Sequence, residues 1–175
     1  GYLLREGGKG KLRTTLLGSG TILREVLAAA EMLEKDFGIP ADVYSITSFN
    51  ELRREALECE RWNLLNPTQP PRRPYVSELL GDCQAPIVAA TDYMRTVADQ
   101  IRQWLPSAYV TLGTDGFGRS DARAELRSHF EVDRRFVALA ALKSLADGGQ
   151  IDRKTVVDAV ASLGIDAAKT NPLSG

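Results

Sequence analysis

The four residues Ile87-Val88-Ala89-Ala90 constrain this chain more than any other stretch. They are apolar without alternation and lie between Pro86 and Thr91, so the run reads as a strand buried on both faces. Such a strand must lie inside a parallel sheet with helices covering each side. The surrounding sequence supplies those partners. Thr14-Thr15-Leu16-Leu17 reads as a second buried strand, ended by Gly18-Ser19-Gly20. Val43-Tyr44-Ser45-Ile46 and Tyr109-Val110-Thr111-Leu112 read as two more, and Tyr2-Leu3-Leu4 as an edge strand. Ile22, Leu23, Val26, Leu27, Ala30 and Leu33 repeat at helical spacing until Gly38 and Pro40 stop them. Ser48-Phe49-Asn50-Glu51 has the form of a capping box and opens a helix toward Cys59. Asp92 is placed to cap a helix with Met94, Val97, Ala98, Ile101, Trp104 and Leu105 on one side. Helices over about 121–130, 134–147 and 153–163 close the chain, with Asp133 and Asp152 placed to cap the last two. This alternation predicts an α/β fold in three layers, a mostly parallel sheet with helices on both faces.

The 175 residues suit one domain over 1–175, and no internal repeat divides them. Pro67, Pro70, Pro71, Pro74 and Pro86 interrupt the rhythm, so the stretch over about 62–86 reads as an irregular surface crossover. One short helix, Tyr75 to Leu80, fits inside it. The tail from about 166 is small and polar and reads as loosely held. With 22 basic and 23 acidic residues the formal charge is −1, which argues against a nucleic-acid partner. No apolar run approaches the ~20 residues needed to cross a bilayer. Gly1-Tyr2-Leu3-Leu4-Arg5 has neither an initiator Met nor the layout of a signal peptide, so an excised piece of a longer cytoplasmic polypeptide is expected. Cys59 and Cys83 have no metal-type spacing and read as reduced thiols.

Two glycine-rich segments sit where strands give way to helices. Gly18-Ser19-Gly20 lies where a doubly wound sheet receives phosphate. The full dinucleotide fingerprint would need Gly at position 23, which is Leu23, so a simple tight turn is the plainer reading. An enzyme binding a nucleotide or phosphorylated substrate there is the rival. In Gly113-Thr114-Asp115-Gly116-Phe117-Gly118-Arg119-Ser120-Asp121, three interior and leading glycines admit unusual backbone and Arg119 adds a bidentate cation. Asp115, Phe117, Arg119, Ser120 and Asp121 are its candidate contact residues. The alternative is a structural loop in which Asp121 caps a helix and Arg119 pairs with a carboxylate. His129, the single histidine, has no nucleophile elbow to serve and reads as a helix-terminal residue. Trp104 reads as core; Trp62 either anchors the crossover or faces a partner.

Leu17-Gly18-Ser19-Gly20, Asp42 to Phe49, Cys59-Glu60-Arg61-Trp62-Asn63, Ala90-Thr91-Asp92-Tyr93-Met94, Gly113 to Asp121 and His129-Phe130-Glu131-Val132-Asp133 occur in order over nearly the whole chain. Together they resemble the C-terminal portion of the homodimeric pyruvate dehydrogenase components, which are similar in plan to transketolase. The resemblance implies the transketolase C-terminal-domain fold. It also implies a whole enzyme that decarboxylates pyruvate on thiamine diphosphate with Mg²⁺ and reductively acetylates a lipoyl group on the acyltransferase component. In that family the active sites are built by the other two domains, so this one is expected to have no catalytic, cofactor-binding or metal residue and to be inactive alone. Gly113-Thr114-Asp115-Gly116 departs from the family's diphosphate-binding Gly-Asp-Gly motif by an inserted Thr, and lacks its downstream Asn. The expected partners are the remaining domains, the second subunit, and the basic subunit-binding domain of the acyltransferase. Docking of that last module is the alternative role, with Glu125, Glu131 and Asp133, beside Asp115 and Asp121, as a candidate acidic face. Against it stands the reading that these carboxylates cap helices and stay solvated.

Overall fold

The computed structural model describes residues 1–174. Five strands, β1 (Tyr2–Arg5), β2 (Thr14–Gly18), β3 (Ala41–Ser45), β4 (Ile87–Ala90) and β5 (Tyr109–Leu112), form one sheet in the order β1-β3-β2-β4-β5. β2 pairs in parallel with β3 on one side and β4 on the other, and β4 with β5. β1 adds an antiparallel edge to β3. Every residue of β4 is fully buried, and its side chains divide between two cores. Val88 and Ala90 join Leu16 on one face; Ile87 and Ala89 join Leu17 on the other. The first face is covered by α1 (Leu23–Phe37), α6 (Arg134–Asp147) and α7 (Arg153–Ser162). The second lies under α2 (Phe49–Leu65), α3 (Tyr75–Leu80) and α4 (Arg95–Asp99). This is the predicted mostly parallel sheet between two helical layers.

Local chemistry sets the element ends. Gly38 takes the left-handed conformation (φ 66°) that terminates α1. Ser48 Oγ accepts from the Glu51 amide at 3.2 Å, but the Glu51 carboxylate turns to Arg54, so only half of the capping box forms. Asp133 accepts from the Arg135 and Phe136 amides at 2.9 and 3.2 Å, and Asp152 from Lys154 at 2.7 Å. Each such cap contributes about 1 kcal/mol.

Four details differ from the sequence reading. Helix α2 continues to Leu65 because no breaker intervenes before Pro67, so the crossover begins at Asn66 and not near 62. Trp62 is its anchor: the Arg72 guanidinium stacks 4.2 Å over the indole, and Asn63 accepts from the Arg72 amide at 2.7 Å and donates to its carbonyl at 2.9 Å. Asp92 caps nothing. Helix α4 starts at Arg95, whose amide Asp115 from the next loop takes at 3.2 Å; it runs five residues and gives way to a 3₁₀ turn at Arg102–Trp104. Met94 is accordingly more than half exposed, and Trp104 lies at the core margin with Nε1 donating to Glu60 at 2.7 Å. The tail is fastened at Lys169, whose ammonium donates to the His129 carbonyl (2.7 Å) and to Glu131 (3.1 Å), and at Pro172, which is buried. Among the described residues no helix is long and apolar enough to cross a membrane.

Candidate functional site

Parallel strands send their following loops to one edge of the sheet. The chain leaves β2 toward β3 on one side, while β4 lies on the other, so the order reverses between β2 and β4. Doubly wound sheets take ligands in the crevice outside such a reversal.

The turn after β2 forms one wall. Ser19 Oγ donates to Thr91 Oγ1 at 2.9 Å, and Thr21 Oγ1 donates to Asp92 Oδ2 at 3.4 Å. Gly20 is left-handed (φ 54°), and a Cβ there would lie 3.1 Å from Asp92 Oδ1. The turn's hydroxyls thus already have partners, and it faces a carboxylate that opposes an incoming phosphate. Tight packing, not anion capture, accounts for its glycines: a Cβ on Gly18 would come within 2.9 Å of Leu23 Cα.

The loop after β5 begins as a clasp. The Thr114 amide donates to the Tyr93 carbonyl at 2.9 Å and its hydroxyl to the Asp92 carbonyl at 2.8 Å. Asp115 accepts from the Arg95 amide and pairs with its guanidinium at 3.2 Å. Gly116 (φ 105°) can only be glycine, since a Cβ would sit 2.4 Å from the Pro172 carbonyl oxygen. Beyond it the loop opens. Phe117 is 80% exposed, and no atom lies within 4 Å of a Cβ built on Gly118. Ser120 and Asp121 are exposed, and Arg119 has no ion-pair partner among the described residues. Asp121 accepts from the adjacent Ala122 amide at 2.7 Å, while Ala122 occupies the cap of α5 (Arg123–His129), so Asp121 is not the helix cap.

Helix α5 buries none of its residues completely; Leu126 packs on the core and Arg127 makes an ion pair to the body. Arg127 donates to Glu25 at 2.9 Å; Glu25, 6% exposed in the first turn of α1, also accepts from Arg134 Nε at 2.9 Å and from the Arg134 amide at 3.2 Å. Burial pushes the Glu25 carboxyl up, but the bonds and charge of Arg134 and the charge of Arg127 more than offset it. The group titrates below its ordinary value. Neither Glu25 nor Arg127 was anticipated, because a charged residue inside a helical stripe reads as solvated.

Between the Gly116–Arg119 segment, α5 and the β2 turn lies a cleft of about 320 Å³. Ile22, Leu126, Phe130 and Val132 give it an apolar floor. Asp92, Arg119, Arg123 and Arg127 also line it. Arg123 was missed from sequence, although its place at the start of a helix four residues after Arg119 is a usable signal.

The candidate acidic face assembles only in part: Asp121 and Glu125 line one hollow with Arg119, and Glu125 and Asp133 line another among arginines. Asp133 is 8% exposed, caps α6 and pairs with Arg135 at 2.7 Å. Glu131 holds a left-handed backbone (φ 61°) and pairs with Lys169. Glu125 is exposed but shares its surface hollow with Glu25, Asp133, Arg123, Arg127, Arg134 and Arg135, so four cations meet three carboxylates and no acidic excess is presented there. His129 ends α5 half-buried; burial first, then the charges of Arg119 and Lys169, push its imidazole below the ordinary value. It is neutral at pH 7. Burial pushes the Cys59 thiol up to about 11, and the half-buried Cys83 is raised for the same reason. Among the described residues no group of three or more His, Cys, Asp or Glu side chains could hold a metal ion.

Residues 1–133 match the family model described as the transketolase-like TK C-terminal domain. The chain is 59% identical over 98% of its length to the pyruvate dehydrogenase E1 component of Pseudomonas aeruginosa, and 56% identical over 95% to that of Escherichia coli K12. It spans about a fifth of the length of these relatives, 20% and 18%. Among solved structures, a transketolase from Pichia stipitis superposes with a TM-score of 0.56 at 23% identity, covering 85% of this chain and 18% of that one. A transketolase from Leishmania mexicana gives 0.53 at 17% identity, covering 82% and 18%. Both structural likenesses speak to the fold alone.

Proposed function

The chain belongs to the transketolase-like C-terminal domain family, and we propose that it is the assembly domain of a pyruvate dehydrogenase E1 component. The observation that carries this reading is the in-order identity over nearly all of the chain to bacterial relatives of that name. On this reading the whole cytoplasmic enzyme decarboxylates pyruvate on thiamine diphosphate and reductively acetylates a lipoyl group of its acyltransferase partner. The residues here do not fit the cofactor or its Mg²⁺. Asp115, the one acid within the Gly-Thr-Asp-Gly segment, is committed to Arg95, and Asp92 opposes rather than invites a diphosphate. Chemistry is therefore assigned to the other domains.

What this chain offers is a rigid shoulder. The loops after β4 and β5 are tied to each other through Thr114 and Asp115, and they present Tyr93, Met94 and Phe117, which are 63%, 58% and 80% exposed. Large apolar side chains held on a stiff frame suit packing against a neighbouring domain or the second subunit of a homodimer. The hollow around Glu125, with four arginines against three carboxylates, gives no support to docking of a basic subunit-binding domain.

Replacing Tyr93, Met94 and Phe117 together by Ser in the full-length enzyme tests the reading. The expected result is a weaker dimer by sedimentation velocity and a matching loss of pyruvate-dependent lipoyl acetylation, with the melting of this isolated chain unchanged. Pyruvate turnover by this chain alone, or a dimer and activity untouched by the triple replacement, would overturn it.

A further inference from the structure

We propose that the cleft between the Gly116–Arg119 segment and α5 binds a small anion with an apolar body, gripped by Arg119 and Arg123. The inference rests on the cleft's own chemistry and not on the assembly role. Its volume, about 320 Å³, lies within the range of small-molecule pockets, and it sits at the strand-order reversal where such folds take ligands.

The charges on its walls are unequal in their freedom. Arg127 is tied to Glu25 at 2.9 Å, a carboxylate it shares with Arg134. Arg119 and Arg123 have no ion-pair or hydrogen-bond partner among the described residues, yet line the same cleft. Two uncommitted guanidinium groups lining one cleft raise its potential, and each can offer a carboxylate or phosphate entering it bidentate, charge-assisted bonds. Asp92 also lines the cleft, and its charge opposes an anion beside the β2 turn, so binding depends on Arg119 and Arg123, two uncommitted cations against one carboxylate. The Thr21 and Thr114 hydroxyls donate to Asp92 and cannot donate again, so the grip on an anion falls to the arginines.

The floor sets the rest of the ligand. Ile22, Leu126, Phe130 and Val132 offer nothing to a bare ion but favour burial of a ring or short alkyl group. Inorganic phosphate should therefore bind less well than an aromatic or aliphatic anion. The anionic group can be a carboxylate or a phosphate ester; the arginine chemistry is shared, and the probes separate the two.

The test is calorimetric titration of this chain with phenylacetate, phenyl phosphate and inorganic phosphate. At least one aromatic anion is expected to bind at least tenfold more tightly than inorganic phosphate, with an affinity that falls as salt rises. Binding by phenylacetate alone identifies a carboxylate ligand, by phenyl phosphate alone a phosphate ester; both outcomes support the site. The Arg119→Gln/Arg123→Gln double variant, whose exposed positions leave the melting temperature unchanged, should lose about a hundredfold in affinity, about tenfold per guanidinium. Binding should also shift the His129 ring resonances in wild-type NMR spectra, since Arg119 lies close enough to depress that imidazole. Failure of both aromatic anions to bind, an unchanged affinity in the double variant, or equal binding of inorganic phosphate would overturn the proposal.

Discussion

The turn after β2 and the loop after β5 leave the same edge of one sheet through glycines, yet they use their polar groups in opposite ways. At Gly18-Ser19-Gly20 the Ser19 amide and hydroxyl and the neighbouring Thr21 hydroxyl meet partners inside the molecule, and Asp92 lies against Gly20. At Gly113–Asp121 the first three residues form an equally closed clasp, and then the chain releases Phe117, Gly118 and Arg119 to the surface. A glycine pattern at a strand end therefore locates an edge without saying what the edge does. The discriminating fact is which donors and charges remain uncommitted once the fold is complete.

Glu25 links the two regions, since it opens the helix after the first turn and grips the helix after the second loop. Glu25→Gln should destabilise the chain by about 2–3 kcal/mol, below the usual range for a broken buried pair because both arginines keep some access to water. Chemical denaturation at neutral pH measures this. The sign with pH follows from the depressed carboxyl. The stabilisation is complete above the ordinary Glu range and disappears as pH falls through the lowered folded value, so the wild-type advantage should vanish in acid. A difference that persisted at pH 2 would show that Glu25 acts by packing and not by charge.

The closed parts come next. Gly18→Ala and Gly113→Ala should each cost about 1–3 kcal/mol, because the new methyl meets Leu23 Cα at 2.9 Å or the Tyr93 carbonyl oxygen at 2.6 Å. Asp133→Ala should cost about 1 kcal/mol through the lost cap of α6. A larger loss of acyltransferase binding than of stability would revive Asp133 as a docking residue. Gly118→Ala should change stability by under about 0.5 kcal/mol, as its backbone is ordinary and its surroundings empty. A cost like that of Gly113→Ala would mean the second loop is closed throughout, and the comparison would fail. Thermal melts of the set give the ranking.

The sheet was readable from sequence because its signal is local. Ile87–Ala90 and Tyr109–Leu112 are apolar or β-branched runs with clear stops, and the strands match them residue for residue. Caps at Asp133 and Asp152 were readable for the same reason. What failed involved distant partners. Asp92 looks like a cap until Asp115, 20 residues along from Arg95, takes that amide. Glu25 looks solvated until Arg127 and Arg134 arrive from more than a hundred residues away. The tail looks idle until Lys169 reaches His129. At the candidate site, the glycines and Arg119 were legible; the pairing of Arg119 with Arg123 over an apolar floor was not, because one chain's spacing does not reveal which charges will be left without counter-ions.

The two thiols carry a practical consequence. With its pKa pushed up to about 11, Cys59 is thiolate in roughly one molecule in ten thousand at neutral pH, and it sits on the buried side of α2 with its S–H donating to Glu55 at 3.1 Å. Maleimide dyes and air should therefore pass this side chain by, and a cysteine engineered at an outward position, Phe117 for instance, would outcompete it for label.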